Sequence, residues 1–413
     1  MGKIGNMTDV CDAALDIDDA RAAAKLLEGV ARRTPIESSR ALAALVGGPV
    51  SFKCENLQRG GSFKIRGAYV RIARLSDDEK ARGVVAASAG NHAQGVALAA
   101  SLLGTRATVF MPLGAPLPKV AATKSYGATV EFFGHSVDEA LQQAQVVAED
   151  SGAVFIHPFD HRDIVAGQST VGLEIVEQCP DVRTILVSAG GGGLCSGVAL
   201  VAKALAPQAK IVAVQAAQAA ALPASLTAGR PVALTEMATM ADGIAVGRPG
   251  DLTFGMVRQY VDDVVTVSED SLSRALLFCL ERAKLVVEPA GAAGVAAILD
   301  APQSFKPPVV AILSGGNVDP VLLVRVLRHG LAAAGRYLSF HVRIDDHPGA
   351  LAKLLHTLAD AGANVLDVVH ERTGPTLHVE EVEVALQVET RGPDHSDEVL
   401  GLLRSHGYRL AFV

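Results

Sequence analysis

At 413 residues the chain is too long for one ordinary hydrophobic core, so two or three packed units are expected. Hydrophobic residues make up 49% of it, yet no run reaches the roughly 18 apolar residues that a membrane-spanning helix needs, so no membrane partner is expected. A net charge of -7 without a basic cluster excludes an electrostatic grip on a polyanionic backbone, and with it a nucleic-acid partner.

The opening MGKIGNMTDVCDAALDIDDAR carries acidic residues early and lacks the basic-then-apolar order of a secretory signal. Asn6 stands where a myristoylation motif wants Ser or Thr, and a cytoplasmic location is the expectation. The five cysteines, Cys11, Cys54, Cys179, Cys195 and Cys279, are odd in number, far apart and without C-x-x-C spacing, which argues for reduced thiols rather than a disulfide framework or a zinc site.

From about residue 50 to 330, short β-rich runs alternate with Ala/Leu-rich helical stretches. The predicted strands are SFKCEN, GVVAAS, TRATVFMP, ATVEFF, AVFIHP, RTILVSAG, KIVAVQ and PVVAILSGG. That alternation reads as α/β with mainly parallel sheets. Open α/β sheets place ligands at the carboxyl ends of strands, so the chemistry is sought in the Gly/Ser/Asn-rich turns that follow these runs.

Four such turns carry candidates. In ENLQRGGSFKIRGAY, Lys64 follows Gly60-Gly61-Ser62-Phe63 at a loop-to-helix junction. A lysine held in a partly apolar pocket can lose its proton and attack a carbonyl. In VVAASAGNHAQG, a strand runs through Ser88, Ala89, Gly90, Asn91 and His92 into a helix whose N-terminal amides could hold a carboxylate or a hydroxyl. The strand TILVSAG enters Gly190, Gly191, Gly192, Gly193 and Leu194, with a helix predicted from about Cys195. Four glycines let backbone N–H groups fold around a phosphate, and the absence of both the P-loop Lys-Ser/Thr and G-x-G-x-x-G points to a small cofactor rather than a nucleotide. Ser314-Gly315-Gly316-Asn317 ends another strand, and Glu288-Pro289-Ala290-Gly291 opens a Gly/Ala-rich helix. Together they supply a lysine, a phosphate cradle, an anion-binding turn and a hydroxyl, a convergent catalytic set.

After Gly335 the pattern changes. RYLSFHVRID alternates as a strand, DDHPGALAKLLHTLADAG is an amphipathic helix, and NVLDVVHER and HVEEVEVALQVET are two more strands. HSDEVLGLLRSHG adds a helix and YRLAFV a last strand, giving the β-α-β-β-α-β order of a ferredoxin-like unit.

GSFKIRGA, SAGNHAQG, AGQST, ADGIAV, EPAG and SGGN, in this order, resemble the threonine dehydratase (threonine ammonia-lyase) family of pyridoxal-phosphate enzymes, over roughly residues 15 to 330. The resemblance implies the two-domain, tryptophan-synthase-β-like fold, a three-layer αβα architecture with mainly parallel sheets, over residues 1–335. A smaller subdomain at about 60–150 is inserted in the larger one. It implies that Lys64 carries pyridoxal 5'-phosphate covalently and later acts as base at the substrate Cα, and that Phe63 packs near the ring. Gly190 to Gly193 and Leu194 would bind the phosphate, Asn91 the ring hydroxyl, and Ser314 would face the ring nitrogen. Gly243 and Glu288 would also line the cofactor, while the turn Ser88 to His92 would hold the substrate carboxylate.

Two departures refine the expectation. Ala89 stands where racemases of this group place a second base, so elimination from threonine, and also serine, is favoured over racemisation. Gln215 to Ala221 offers no carboxylates where metal-binding relatives carry them, so no divalent metal is expected there. Residues 336–413 resemble an ACT domain, in which Asp346, Gly349, Ala350 and Asn364 would bind an effector, isoleucine or valine. The same resemblance implies a homo-oligomer, tetramer or dimer.

Overall fold

The structure is a computed structural model that describes residues 15–372 and 377–412. Residues 1–14 of the N-terminal stretch read for targeting, Cys11 among them, lie outside them. The chain divides into two compact units, one running to Pro320 and the other beginning at Val321. The sequence reading placed that break at 335. Helix Pro320–Ala333 instead groups with the second unit.

Two sheets organise the first unit. The larger has six strands in the order Ile36–Ser38, Val50–Lys53, Val309–Ile312, Thr184–Ser188, Lys210–Ala216 and Asp263–Val267. All its pairings are parallel except that of the first strand. The smaller sheet is wholly parallel, with Thr129–Phe132, Ala107–Met111, Val84–Ala87 and Val154–Phe155 in that order. Parallel pairing requires helical crossovers, which cover the sheet faces and account for the near-continuous apolar character of strands such as Thr184–Ser188, every residue of which is buried. Separate apolar cores back the two sheets, one around Ile185, Val187, Val198 and Ile211 and the other around Val84, Val96, Val109 and Ile156.

The helix that begins at Lys64 is wedged among close neighbours. On helix Arg162–Gln178, a Cβ added at Gly167 would lie 2.5 Å from the Gly67 Cα and 2.6 Å from the Arg66 carbonyl. A Cβ added at Gly95, on helix Asn91–Leu102, would lie 3.1 Å from the Lys64 carbonyl carbon. These contacts give AGQST and SAGNHAQG a mechanical meaning: they let two helices approach the lysine helix backbone to backbone. Gly167→Ala is expected to cost about 1–3 kcal/mol by overpacking, read as a lowered urea midpoint. A midpoint unchanged within error would show that the crossing is looser than described.

The second unit forms an antiparallel sheet ordered Asn364–Glu371, Glu381–Glu389, Tyr337–Asp345 and Arg409–Ala411. Helices Ala350–Asp360 and Pro393–Ser405 contribute Leu354, Leu358, Val399 and Leu403 to a core shared with Phe340, Val342, Val384 and Leu386. This is the expected β-α-β-β-α-β unit. Among the described residues, no helix is long and apolar enough to cross a membrane.

Candidate active site

A cavity of about 900 Å³ opens in the first unit at the carboxyl ends of strands Val84–Ala87 and Thr184–Ser188. That volume lies within the range of cofactor sites. Every catalytic, cofactor and substrate residue expected from the sequence lines it: Phe63, Lys64, the turn Ser88 to His92, Gly190 to Leu194, Gly243, Glu288 and Ser314.

Lys64 begins helix Lys64–Ala73, and its register is set from below. Ser62 bridges to Gly315, and the Phe63 amide donates to the Ser314 carbonyl at 3.2 Å, so the lysine turn is stitched to the end of strand Val309–Ile312. The half-buried ammonium donates to the Pro158 carbonyl at 2.9 Å and sits 5.3 Å from the Phe63 ring centroid. Loss of hydration pulls its pKa down to about 8, and the Glu288 carboxylate offsets part of that drop.

Glu288 is itself buried and pushed up to about 7 by burial and by Asp242, against the pull of Lys119, Asn91 and Lys64. Its Oε1 accepts from Asn91 Nδ2 at 2.6 Å, while Asn91 Oδ1 accepts from Asn317 Nδ2 at 2.9 Å. Asn91 is therefore held in one orientation by groups from two other segments. His92 differs: its ring is buried, hydrogen-bonded to the Ile156 carbonyl at 2.8 Å, and held neutral, with burial and Lys64 lowering its pKa to about 3. The imidazole anchors the helix, and only the backbone of His92 is left for a substrate.

The glycine loop is shaped by what it must pass. Gly192 adopts φ 97°, a left-handed conformation suited to glycine, and caps helix Gly193–Leu205, which begins two residues earlier than the sequence pattern suggested. A Cβ at Gly191 would lie 2.4 Å from the Phe159 ring. The loop is braced from behind by Thr253 Oγ1, which donates to the Gly191 carbonyl at 2.6 Å, and Thr253 is in turn held by its own amide donating to Asp160 Oδ1 at 3.0 Å. Beside the loop, Gln215 is fully buried, donates to the Ala189 carbonyl at 3.0 Å and accepts from the Leu222 amide at 2.9 Å. Among the described residues, no group of three or more His, Cys, Asp or Glu side chains could hold a metal ion.

These residues fit a pyridoxal phosphate. Ser188, lining the cavity, has a buried hydroxyl with no hydrogen-bond partner among the described residues, which leaves about 1–3 kcal/mol of unmet hydrogen bonding. The loop amides stand at a helix N-terminus, where an anion is favoured. When bound, the cofactor supplies an electron-withdrawing ring that acidifies the substrate Cα–H.

Sequence reasoning missed several cavity residues: Lys119, His157, Phe159, Asp160, Ser188 and Asp242. Asp242 lies within the motif ADGIAV, beside the expected Gly243. His157 Nδ1 accepts from the amides of Phe159 and Asp160 at 3.3 and 2.7 Å, so the turn after strand Val154–Phe155 is locked by its own side chain. The available signal was a polar residue, His157, near the end of the predicted strand AVFIHP.

In the second unit, Asp346 pairs with Arg372 at 3.2 Å, and Gly349, at φ 92°, caps the helix that starts at Ala350. Asn364 lies at the opposite end of the sheet: Asn364 and Tyr337 both pair with Glu389, whereas Asp345 pairs with Glu381. The four expected effector residues are therefore not brought together within one copy.

A family described as pyridoxal-phosphate dependent enzyme matches residues 27–315, and the ACT domain family matches residues 337–407. The chain is 45% identical over 399 residues to an L-threonine ammonia-lyase of Thermotoga maritima, covering 97% of this chain and all of that one. It is 43% identical over 302 residues to an L-threo-3-hydroxyaspartate ammonia-lyase of a Pseudomonas species, covering 73% of this chain and 95% of the relative. The structure of maize serine racemase superposes with a TM-score of 0.72 at 40% identity, covering 78% of this chain and 99% of that one. The chain belongs to the threonine ammonia-lyase family of pyridoxal-phosphate dependent enzymes and carries a C-terminal ACT domain.

Proposed function

We propose that the protein converts L-threonine to 2-oxobutanoate and ammonia, and L-serine to pyruvate and ammonia by the same route. The observation that carries this reading is Lys64, whose pKa of about 8 leaves roughly a tenth of it neutral at pH 7, against less than a thousandth for an ordinary lysine. A neutral amine at this point can take a proton from Cα. Asn91 and Glu288 fix the cofactor's orientation, the turn Ser88 to His92 positions the substrate carboxylate, and the loop Gly190 to Leu194 grips the phosphate. Elimination removes the β-hydroxyl as water, and hydration of the released enamine restores that water and frees ammonia.

Ala89 supports elimination over racemisation, because a methyl group in the substrate turn offers no second base. Initial rates with L-threonine, L-serine and L-threo-3-hydroxyaspartate, with each keto acid measured, test the substrate assignment. The expected order puts L-threonine first in kcat/KM; a preference for hydroxyaspartate would replace this reading with its nearest rival.

The titration of Lys64 gives a second test. Capture of pyridoxal phosphate by the apoprotein needs the neutral amine, so the association rate is expected to rise with pH toward a midpoint near 8. Glu288→Gln removes a charge that raises the lysine pKa and should move the midpoint down. Stopped-flow absorbance reads both, and a wild-type midpoint at about 10, the range of a free lysine, would contradict the burial argument.

We further propose a homo-oligomer in which isoleucine or valine binds between two ACT units. The support is the separation of Asp346, Gly349 and Ala350 from Asn364 within one copy, which two adjoining sheets could reverse. Isoleucine or valine should alter the threonine rate of the full chain, and Asp346→Ala should blunt the response.

A further inference from the structure

Outside the expected residue set, the cavity holds a second lysine. Lys119 stands on helix Leu117–Ser125, which follows the smaller sheet's strand Ala107–Met111, and its ammonium pairs with the Asp242 carboxylate in the turn Asp242–Ile244 beside the larger sheet. The ion pair thus spans the cavity between the two sheets of the first unit. The ammonium also overlooks the substrate turn: a Cβ placed on Gly90 would lie 3.9 Å from it. In that turn the Gly90 amide donates to Ser88 Oγ at 3.0 Å, and helix Asn91–Leu102 begins without a side-chain cap, so its first amides remain available.

The two partners are unequally placed. The Lys119 side chain is 9% exposed, whereas that of Asp242 is 51% exposed. A carboxylate half in water can be released and rehydrated at little cost, but an ammonium this deep needs an anion beside it. Asp242 is the replaceable member of the pair.

We propose that Lys119 is a substrate-positioning residue: the α-carboxylate of the incoming amino acid displaces Asp242 and takes over the ammonium while seated on the Ser88 to His92 turn. Asp242 is a placeholder anion that keeps the Lys119 side chain oriented between turnovers. The exchange makes a free α-carboxylate the entry requirement, so amino-acid amides, esters and peptide N-termini are rejected. It also couples filling of the site to loss of the tie across the cavity. This inference rests on the proposed function, since it assigns a residue to that reaction's substrate.

The test uses the holoenzyme and a substrate analogue without a leaving group. L-alanine and L-alaninamide are titrated against the cofactor's visible spectrum, giving dissociation constants independent of turnover. Wild type is expected to prefer L-alanine by on the order of a hundredfold, the scale of a charge-assisted hydrogen bond in a partly buried site. Lys119→Met should cut that preference to about tenfold or less, with KM for L-threonine raised more than kcat is lowered, and Lys119→Arg should largely restore it. Asp242→Asn removes the competing anion and should tighten L-alanine binding several-fold with the preference kept. If Lys119→Met retains the wild-type preference, or Asp242→Asn weakens L-alanine as Lys119→Met does, the pair is only a structural tie and the proposal falls, while turnover of L-threonine by wild type leaves the functional reading standing. A wild type that does not act on L-threonine overturns both.

Discussion

Lys64→Ala is expected to abolish threonine turnover, with a loss of at least about a thousandfold, and to remove the visible absorbance of the lysine-bound cofactor. The size follows from the two tasks given to one amine, covalent attachment of the cofactor and proton removal at Cα. No neighbour can take over either task. Lys119 is paired with Asp242, or in the filled site with the substrate carboxylate, His92 is locked to the Ile156 carbonyl, and His157 Nδ1 is consumed by two backbone amides. The variant should still fold, because among the described residues the Lys64 side chain is hydrogen-bonded to the Pro158 carbonyl and belongs to neither apolar core of the first unit. Equal turnover and an equal spectrum in the variant would remove the lysine from the mechanism altogether.

Arg66→Met is expected to destabilise the first unit by about 3–5 kcal/mol, the cost of leaving a buried charge without its partner. Arg66 is 1% exposed and clasps fully buried Glu55 with two hydrogen bonds of 2.8 Å, while its other amino group reaches Glu174 at 2.7 Å. Fully buried Lys53 closes the cluster through Glu174 and through the Thr34 carbonyl at 2.8 Å. Burial alone would raise the Glu55 pKa, but the Arg66 guanidinium, with Thr34 and Lys53, more than compensates and holds it below the usual carboxylate range. The stability contributed by Glu55 is therefore complete above the ordinary carboxylate pKa and is lost as pH falls through its depressed folded value. Urea unfolding at pH 7 should show the full penalty in Arg66→Met, and the double variant with Glu55→Gln should recover part of it. A penalty under about 1 kcal/mol would mean that water reaches the cluster. Since Arg66 lies two residues after Lys64, the same variant should also hold its cofactor less firmly.

The parts of this architecture that were legible in the sequence share a physical cause. A parallel strand buried on both faces reads as an apolar run, and a strand end that meets a ligand reads as a Gly/Ser/Asn turn, so Thr184–Ser188 with its glycine loop and Val84–Ala87 with its Ser88 turn both stood out. Strands Ile36–Ser38 and Asp263–Val267 did not. They are sheet edges, the first of three residues and the second with a single buried residue, Val267, so neither carries a continuous apolar signal.

Long-range pairing was equally invisible. Lys119 and Asp242 are 123 positions apart, and nothing in LPKVAATKS marks its lysine as a cavity residue. The ACT resemblance groups Asn364 with the Asp346 turn, and the strand register that sends them to opposite ends of one sheet is not readable from the sequence. The small residues of AGQST were recognisable as a motif, whereas their role, letting Gly167 touch Gly67, needed the crossing of two helices.

The most direct test of the central claim is reduction of the purified holoprotein with borohydride, followed by peptide mapping of the phosphopyridoxyl group. The account predicts a single modified lysine, Lys64, in the peptide that contains GSFKIRGA. Modification at Lys119, or at any lysine outside the cavity, would contradict it.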